Sequence, residues 1–298
     1  MGEIFFDTDT HKSCLICNGK NLRELKNYKK HNLVKCDHCS FIFASDIPTE
    51  ETLANYYSKY SYESAQFLSP STIQSYNELL DEFEKYRKTN RILDVGCGAG
   101  FFLEQSKKRG WEVHGTEYSD SAIQLCKRNK IDVKEGQLNP ENYDRIEFDV
   151  VTSFEVIEHI NNPIEETGNI FGILRKGGLF YCTTPNFNSI ERQCLKDKYN
   201  IISYPEHLSY YTPKSLGFLL TQQGFEKEKI LTTGISITRI RTSLGTSNQP
   251  MISTDSDDEK IRRAIASYPP MKLMKLLVNK VLTVFGVGMS LKVFFEKK

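Results

Sequence analysis

The sequence predicts an α/β fold in which a mostly parallel sheet is covered by helices and preceded by a small cysteine-bearing module. Three observations carry this expectation. From Arg91 onward short apolar runs alternate with amphipathic stretches, a glycine-rich turn follows the first such run in RILDVGCGAGFFL, and two Cys-x-x-Cys pairs stand near the N-terminus. At 298 residues the chain has room for one large domain with an appendage or for two domains. Its 39 basic and 38 acidic side chains balance, so charge gives no reason to expect nucleic acid as a partner. MGEIFFDTDTHKSC turns polar after two phenylalanines, unlike a leader peptide, and no uncharged run reaches the ~18 residues that span a bilayer. A cytoplasmic location is the expectation, and there eight cysteines read as a metal site plus free thiols.

Residues 1–45 form the first unit, a stretch of short strands and turns. Cys14 and Cys17, then Cys36 and Cys39, are separated by 18 residues, the spacing of a four-thiolate zinc ribbon in which each pair sits on a tight knuckle. Four thiolates leave no open position, so the expected Zn²⁺ is structural, and so small a module has too little core to fold without it. A disulfide framework is the alternative, and His38 ranks below Cys39 as a ligand. Residues 46–88 read as a helical cap or linker, since EETLANYYSKY and STIQSYNELLDEFEKYRK carry apolar or aromatic residues at three- and four-residue spacing.

Residues 89–298 hold the alternating pattern, with strands expected at RILDVG, EVHGTEY, DVKEG, FDVVTSFEV, LFYCTTPN, FEKEKILTTG and SLKVFFEKK. Glycines in RKGG and QQGF are expected to stop helices. The pattern breaks at an insertion over about 240–287, where SNQPMISTDSDDEK reads as a mobile loop near Asp255. MKLMKLLVNKVLTVFGVG follows with Lys272, Lys275, Asn279 and Lys280 in one helical sector. Such a helix, over 271–288, fits peripheral contact with an anionic membrane, or a buried lid or dimer helix, which apolar faces in soluble enzymes favour.

RILDVGCGAGFFL places Asp94 at the end of an apolar strand and glycines at 96, 98 and 100 before a helix, so a cofactor approaches the backbone closely there. Cys97, between them, reads as a small packing residue. The next strand ends in Glu117, a carboxylate able to accept from two ribose hydroxyls. A dinucleotide site fits the glycines and the acid as well. The arrangement Asp94-x-Gly96-x-Gly98-x-Gly100 resembles the S-adenosylmethionine signature of class I methyltransferases, which implies a Rossmann-like sheet with an antiparallel last strand. The resemblance assigns the cofactor Tyr118 beside Glu117, Gln137 and Leu138 beside the adenine, and Phe154 beside the methionine part.

In FEVIEHI, a helical turn would place Glu155, Glu158 and His159 at i, i+3 and i+4 on one face, at the carboxyl end of the fourth strand where open sheets bind ligands. His207 in SYPEHLSYYTPKSL joins them as a candidate. The group resembles the ExxEH cluster of metal-dependent 2′-O-methyltransferases that cap small RNAs, which implies Mg²⁺ or Mn²⁺. Ubiquinone-pathway O-methyltransferases carry ExxEH too. In many small-molecule methyltransferases EVIEH instead caps a helix or contacts substrate, with the histidine as base; His159 is then first choice and His207 second. The whole layout resembles bacterial methyltransferases of the type 11/12/23 group. That implies O-methylation of a hydroxyl on a sugar, polysaccharide precursor or related small molecule; an RNA 2′-O-methyltransferase and a non-catalytic interaction protein that binds S-adenosylmethionine and zinc are the alternatives. Antibiotic-sugar C-methyltransferases share the four cysteines but continue into a second substrate domain, so transfer to oxygen is the expectation.

Overall fold

Residues 10–49, 52, 68–143, 147–249 and 256–298 are described by the computed structural model. Near the N-terminus β1 (Leu22–Glu24), β2 (Leu33–Cys36) and β3 (Ile42–Ala44) form an antiparallel ladder. The chain then builds the main sheet from β4 (Arg91–Val95), β5 (Glu112–Glu117), β6 (Asp132–Glu135), β7 (Phe148–Phe154) and β8 (Leu174–Pro185). A short β9 (Ser209–Tyr210) precedes β10 (Phe225–Thr233) and β11 (Ser290–Lys297). The main sheet has the order β10-β11-β8-β7-β4-β5-β6. Strands β4 to β8 pair in parallel, and β11 runs antiparallel between β8 and β10, as expected of SLKVFFEKK. In β7 the run FDVVTS is buried throughout, which is how a central parallel strand covered on both faces reads.

Helices fill the crossovers: α1 (Pro70–Phe83), α2 (Phe101–Lys108), α3 (Asp120–Arg128), α4 (Pro163–Ile173), α5 (Ile190–Leu195) and α6 (Pro213–Gln222). Ser69 caps α1 by accepting from Thr72 N–H. Leu80 and Phe83 on its inner stripe are fully buried, worth about 1.5–3 kcal/mol each. At the amino edge of the sheet Arg175 Nε donates to Asp149 Oδ1 at 2.5 Å, and Asp149 Oδ2 accepts from Lys88 and Asn90 N–H at 2.8 and 2.7 Å. Burial pushes Asp149 up, but Arg175 and those backbone donors outweigh it and hold the carboxyl below its usual range. This buried pair ties the start of β7 and β8 to the segment entering β4.

The insertion is α7 (Ile237–Ser243), α8 (Asp257–Ser267) and α9 (Pro269–Phe285). Residues 250–255 of the expected mobile loop lie outside the described residues, and its last part is helical: Ser256 caps α8 by accepting from Glu259 N–H. Helix α9 is not a buried lid. It packs by Leu282, by Thr283 exchanging hydrogen bonds with Thr232 at 3.2 and 2.9 Å, and by Asn279 accepting from Gly234 N–H at 3.0 Å, while its other side stays exposed. Among the described residues no helix is long and apolar enough to cross a membrane.

Two further expectations change. The helix before RKGG ends at Ile173, with Leu174 already extended, so Gly177 shapes the strand entry and does not stop a helix. The cysteine module is not a separate sheet: Ile42 pairs with Tyr210 and Phe43 with Ser209, giving the order β1-β2-β3-β9. Its Cys14, Ile16, Phe41 and Phe43 share one core cluster with Leu216 and Leu219 of α6. The helix expected over EETLANYYSKY lies outside the described residues except for Thr52.

Candidate functional site

The turn after β4 is shaped for close approach. Gly96, Gly98 and Gly100 have φ of +66°, +52° and +77°, a region side chains rarely adopt. A Cβ on Gly96 would meet Val156 Cγ2 at 2.6 Å, and one on Gly100 would meet Cys126 Sγ and Ile131 Cδ1 at 2.9 Å. Cys97 packs as expected: a Cβ on Gly115 would lie 2.7 Å from its Sγ. Glu117 ends β5, the strand beside β4, and is 8% exposed. Its Oε2 accepts from Gly98 N–H at 2.8 Å and its Oε1 from Tyr118 and Ser119 N–H at 2.8 and 2.9 Å. That leaves about one of its four acceptor places for a ribose hydroxyl. Asp94 is buried and accepts from Thr152 Oγ1 at 2.7 Å; burial pushes its carboxyl up to about 8. The glycine cradle and the carboxylate at adjoining strand ends fit an adenosine-bearing cofactor.

The other residues assigned to that cofactor divide. Tyr118, directly after β5, is 69% exposed. Gln137 is exposed and donates to Glu166 Oε2 at 3.0 Å. The Leu138 side chain belongs to the core, so only its backbone is left to meet a ligand. Phe154 packs in an aromatic group with Phe102, Tyr181 and Tyr76, at centroid distances of 4.9, 5.5 and 5.9 Å.

After β7 the chain does not enter an α-helix. Glu155 sits at φ +54° with its N–H on Thr183 O, and only Ile157–His159 make a single 3-10 turn. Glu158, His159 and His207 nevertheless converge, with candidate ligand atoms all within 4.8 Å of one another, and Glu155 stands outside that group. Glu158 is 2% exposed and its Oε2 accepts from Thr184 Oγ1 at 2.9 Å. Burial, then the charge of Glu155, push its pKa well up. The imidazoles meet edge to face at 4.9 Å. His159 Nδ1 lies 2.7 Å from Glu206 O and His207 Nδ1 2.7 Å from Ile201 O, so each ring carries its proton on Nδ1 and presents Nε2 as a lone pair. Burial lowers His159, and burial with the neighbouring His159 lowers His207 to about 4. Both rings are therefore neutral near pH 7.

His207 is held by the cysteine module. Leu208 N–H donates to Glu158 O and Leu208 O accepts from Ala44 N–H, so the strand after His207 is clamped between the 3-10 turn and β3. The four thiols are unbridged and converge within 4.8 Å, with Cys14 Sγ to Cys39 Sγ at 3.4 Å and Cys17 Sγ to Cys36 Sγ at 3.5 Å. Sulfurs on a tetrahedral zinc at ~2.3 Å would stand about 3.8 Å apart, so the cluster fits that ion with a small expansion. His38 lies outside it and packs edge-on against Phe218.

Sequence reasoning missed three cleft residues. Tyr76 comes from α1 and is pushed up to about 12 by burial and then by Asp94; its place on a 76, 79, 80, 83 stripe was a usable signal. Arg239 of α7 and Lys292 of β11 act on Glu155, whose side chain is exposed. Desolvation by the neighbouring protein pushes Glu155 up, and Thr183, Arg239 and Lys292 pull it part of the way back. No local pattern marks either cation.

A family profile described as a methyltransferase domain matches residues 67–230, more than half of the chain. The chain is similar to the ubiquinone biosynthesis O-methyltransferase of Coxiella burnetii, 32% identical over 111 residues that cover 34% of this chain and 46% of that one. It is similar also to that of Alkalilimnicola ehrlichii, 33% identical over 105 residues, or 33% and 42% of the two chains. The chain thus spans about half the length of these curated relatives. A S-adenosylmethionine dependent methyltransferase from Archaeoglobus fulgidus aligns with 84% of this chain and 100% of its own at TM-score 0.51 and 19% identity, a likeness of fold.

Proposed function

The chain belongs to the methyltransferase-domain family, and from that premise we propose that it carries the methyl group of S-adenosylmethionine to a hydroxyl of a small-molecule acceptor. The observation that carries this reading is the positive-φ turn Gly96–Gly100 set against buried Glu117 at adjoining strand ends. Bound there, the cofactor supplies an electrophilic methyl on a sulfonium. Glu117 would hold the ribose, and the three glycines admit the cofactor to the backbone. His159, neutral and with Nε2 presented, takes the acceptor proton as the oxygen attacks, and His207 is the second candidate. Balanced charge favours a small acceptor over RNA.

The acceptor is read as a sugar or polysaccharide precursor from the resemblance of the layout, and the names of the curated relatives support a ubiquinone-pathway intermediate as its rival. Calorimetry with S-adenosylhomocysteine tests the cofactor assignment: binding weakened by Glu117→Ala is expected, and no binding at all ends the reading. Turnover on nucleotide sugars, lipid-linked glycans and ubiquinone-pathway intermediates then separates the acceptors, and separates an enzyme from a cofactor-binding interaction protein.

The convergence of Glu158, His159 and His207 favours a second version in which they hold Mg²⁺ or Mn²⁺ and the acceptor oxygen is activated beside the ion. Glu155, outside that group, would serve as a substrate contact or outer ligand. Activity abolished by chelation and restored by either ion is the expected result of that version; indifference to chelators leaves His159 as an unassisted base. For the cysteines the proposal is one structural zinc per chain, measured by elemental analysis and lost in Cys14→Ser, Cys36→Ser.

A further inference from the structure

Exposed apolar side chains gather on one element. On α9, Leu273, Leu277, Val281 and Val284 follow i, i+4, i+8, i+11 and form one stripe, exposed by 60%, 57%, 55% and 73%, with Phe285 beside it at 70%. The stripe faces away from Asn279, Leu282 and Thr283, which hold the helix to β10. The helix contains no Asp or Glu, and its charges are Lys272, Lys275 and Lys280. The acids of α8 are confined to its first turn, where Asp258 accepts from Ser236, Ile237 and Thr238 and Glu259 is buried.

Where α9 ends, Val284 and Phe285 form one wall of a groove of about 780 Å³. Lys35, Arg192 and Lys214 stand among its other lining residues, and no acidic residue is among them. An apolar stripe therefore runs without interruption into a basic groove.

We propose that this face of α9 docks on an anionic lipid bilayer, the stripe entering the headgroup boundary and Lys280, at the stripe's edge, facing the lipid phosphates together with the basic groove. Charge complementarity supports this occupant, since an apolar stripe flanked by Lys280, continued by a groove with Lys35, Arg192 and Lys214, and free of acids suits an anionic interface. Charge argues against a second copy of the chain, which in a symmetric dimer would set Lys280 and the basic groove against their own copies. The inference goes beyond the methyl-transfer reading and stands whichever acceptor is used.

The test is co-sedimentation of the full chain with phosphatidylcholine vesicles, with or without an equal share of phosphatidylglycerol. Binding to the anionic vesicles alone is expected. Leu277→Glu with Val281→Glu should abolish it, and Lys280→Gln, Lys35→Gln, Lys214→Gln together should weaken it on the order of 10²-fold. Unchanged S-adenosylhomocysteine affinity, or an unchanged circular dichroism melt should the cofactor reading fail, shows that the variants are folded. No vesicle binding overturns the proposal, as does a dimer in light scattering that Leu277→Glu dissociates. Equal binding to neutral vesicles, or binding indifferent to these substitutions, overturns it too.

Discussion

The two ends of the cleft are built in different ways. The cofactor end comes from one continuous run, Asp94 to Ser119, in which a strand, a glycine turn, a helix and the next strand bring Gly98 N–H onto Glu117 by local geometry. The end proposed for the acceptor comes from distant segments: the turn at Glu158, the loop at His207, β3 of the cysteine module, and Arg239 and Lys292 from the insertion and the last strand. The first kind of site depends on backbone conformation, which the order of residues dictates. The second depends on which segments pair, so a change far away in sequence can disturb it.

If the division holds, substitutions should separate binding from turnover. His159→Ala should lower turnover by ~10²–10⁴-fold with S-adenosylhomocysteine affinity unchanged, measured by steady-state kinetics beside calorimetry. Equal loss of both would dissolve the distinction between the ends.

Next comes a change that touches neither end. Arg175→Leu strips the buried partner from Asp149 and should cost about 3–5 kcal/mol in urea unfolding, with turnover per folded molecule unaltered. Because the folded pKa of Asp149 is depressed, its contribution is present above the unfolded value near 4 and is lost as pH falls through the folded value. Asp149→Asn should therefore flatten the acid limb of the stability profile.

Glu117→Ala should give the mirror image of His159→Ala, weakening S-adenosylhomocysteine by ~10–10²-fold through one lost hydrogen bond to a charged group. The mildest probe is Thr212→Ala. Thr212 caps α6 directly after β9 in a reciprocal box with Ser215, and its loss should cost about 1 kcal/mol by thermal melt. A drop in turnover larger than that stability loss explains would show how finely β9 sets His207.

The same division governs what could be read in advance. Asp94, the three glycines and Glu117 were legible because positive φ and a strand-end carboxylate leave a mark in consecutive residues. Glu155 was assigned to a helix that does not form: at φ +54° it swings out of the ExxEH spacing, and His207 reaches the group through β9 instead. A two-residue strand has no periodicity to detect, and its partner Phe43 lies about 165 residues earlier. The cysteine spacing showed the knuckles but not the neighbour they support. The stripe on α1 announced a packed helix without saying that Tyr76 would end near Asp94.

The shared strand also sets a timetable. Residues 10–44 leave the ribosome with β3 open along one edge, and an open edge invites pairing with another chain. Its partner is made about 165 residues later, roughly 10–30 s at the usual 5–20 residues per second. Through that interval each nascent chain carries an unfinished sheet, and a polypeptide cut short before Ser209 keeps it permanently.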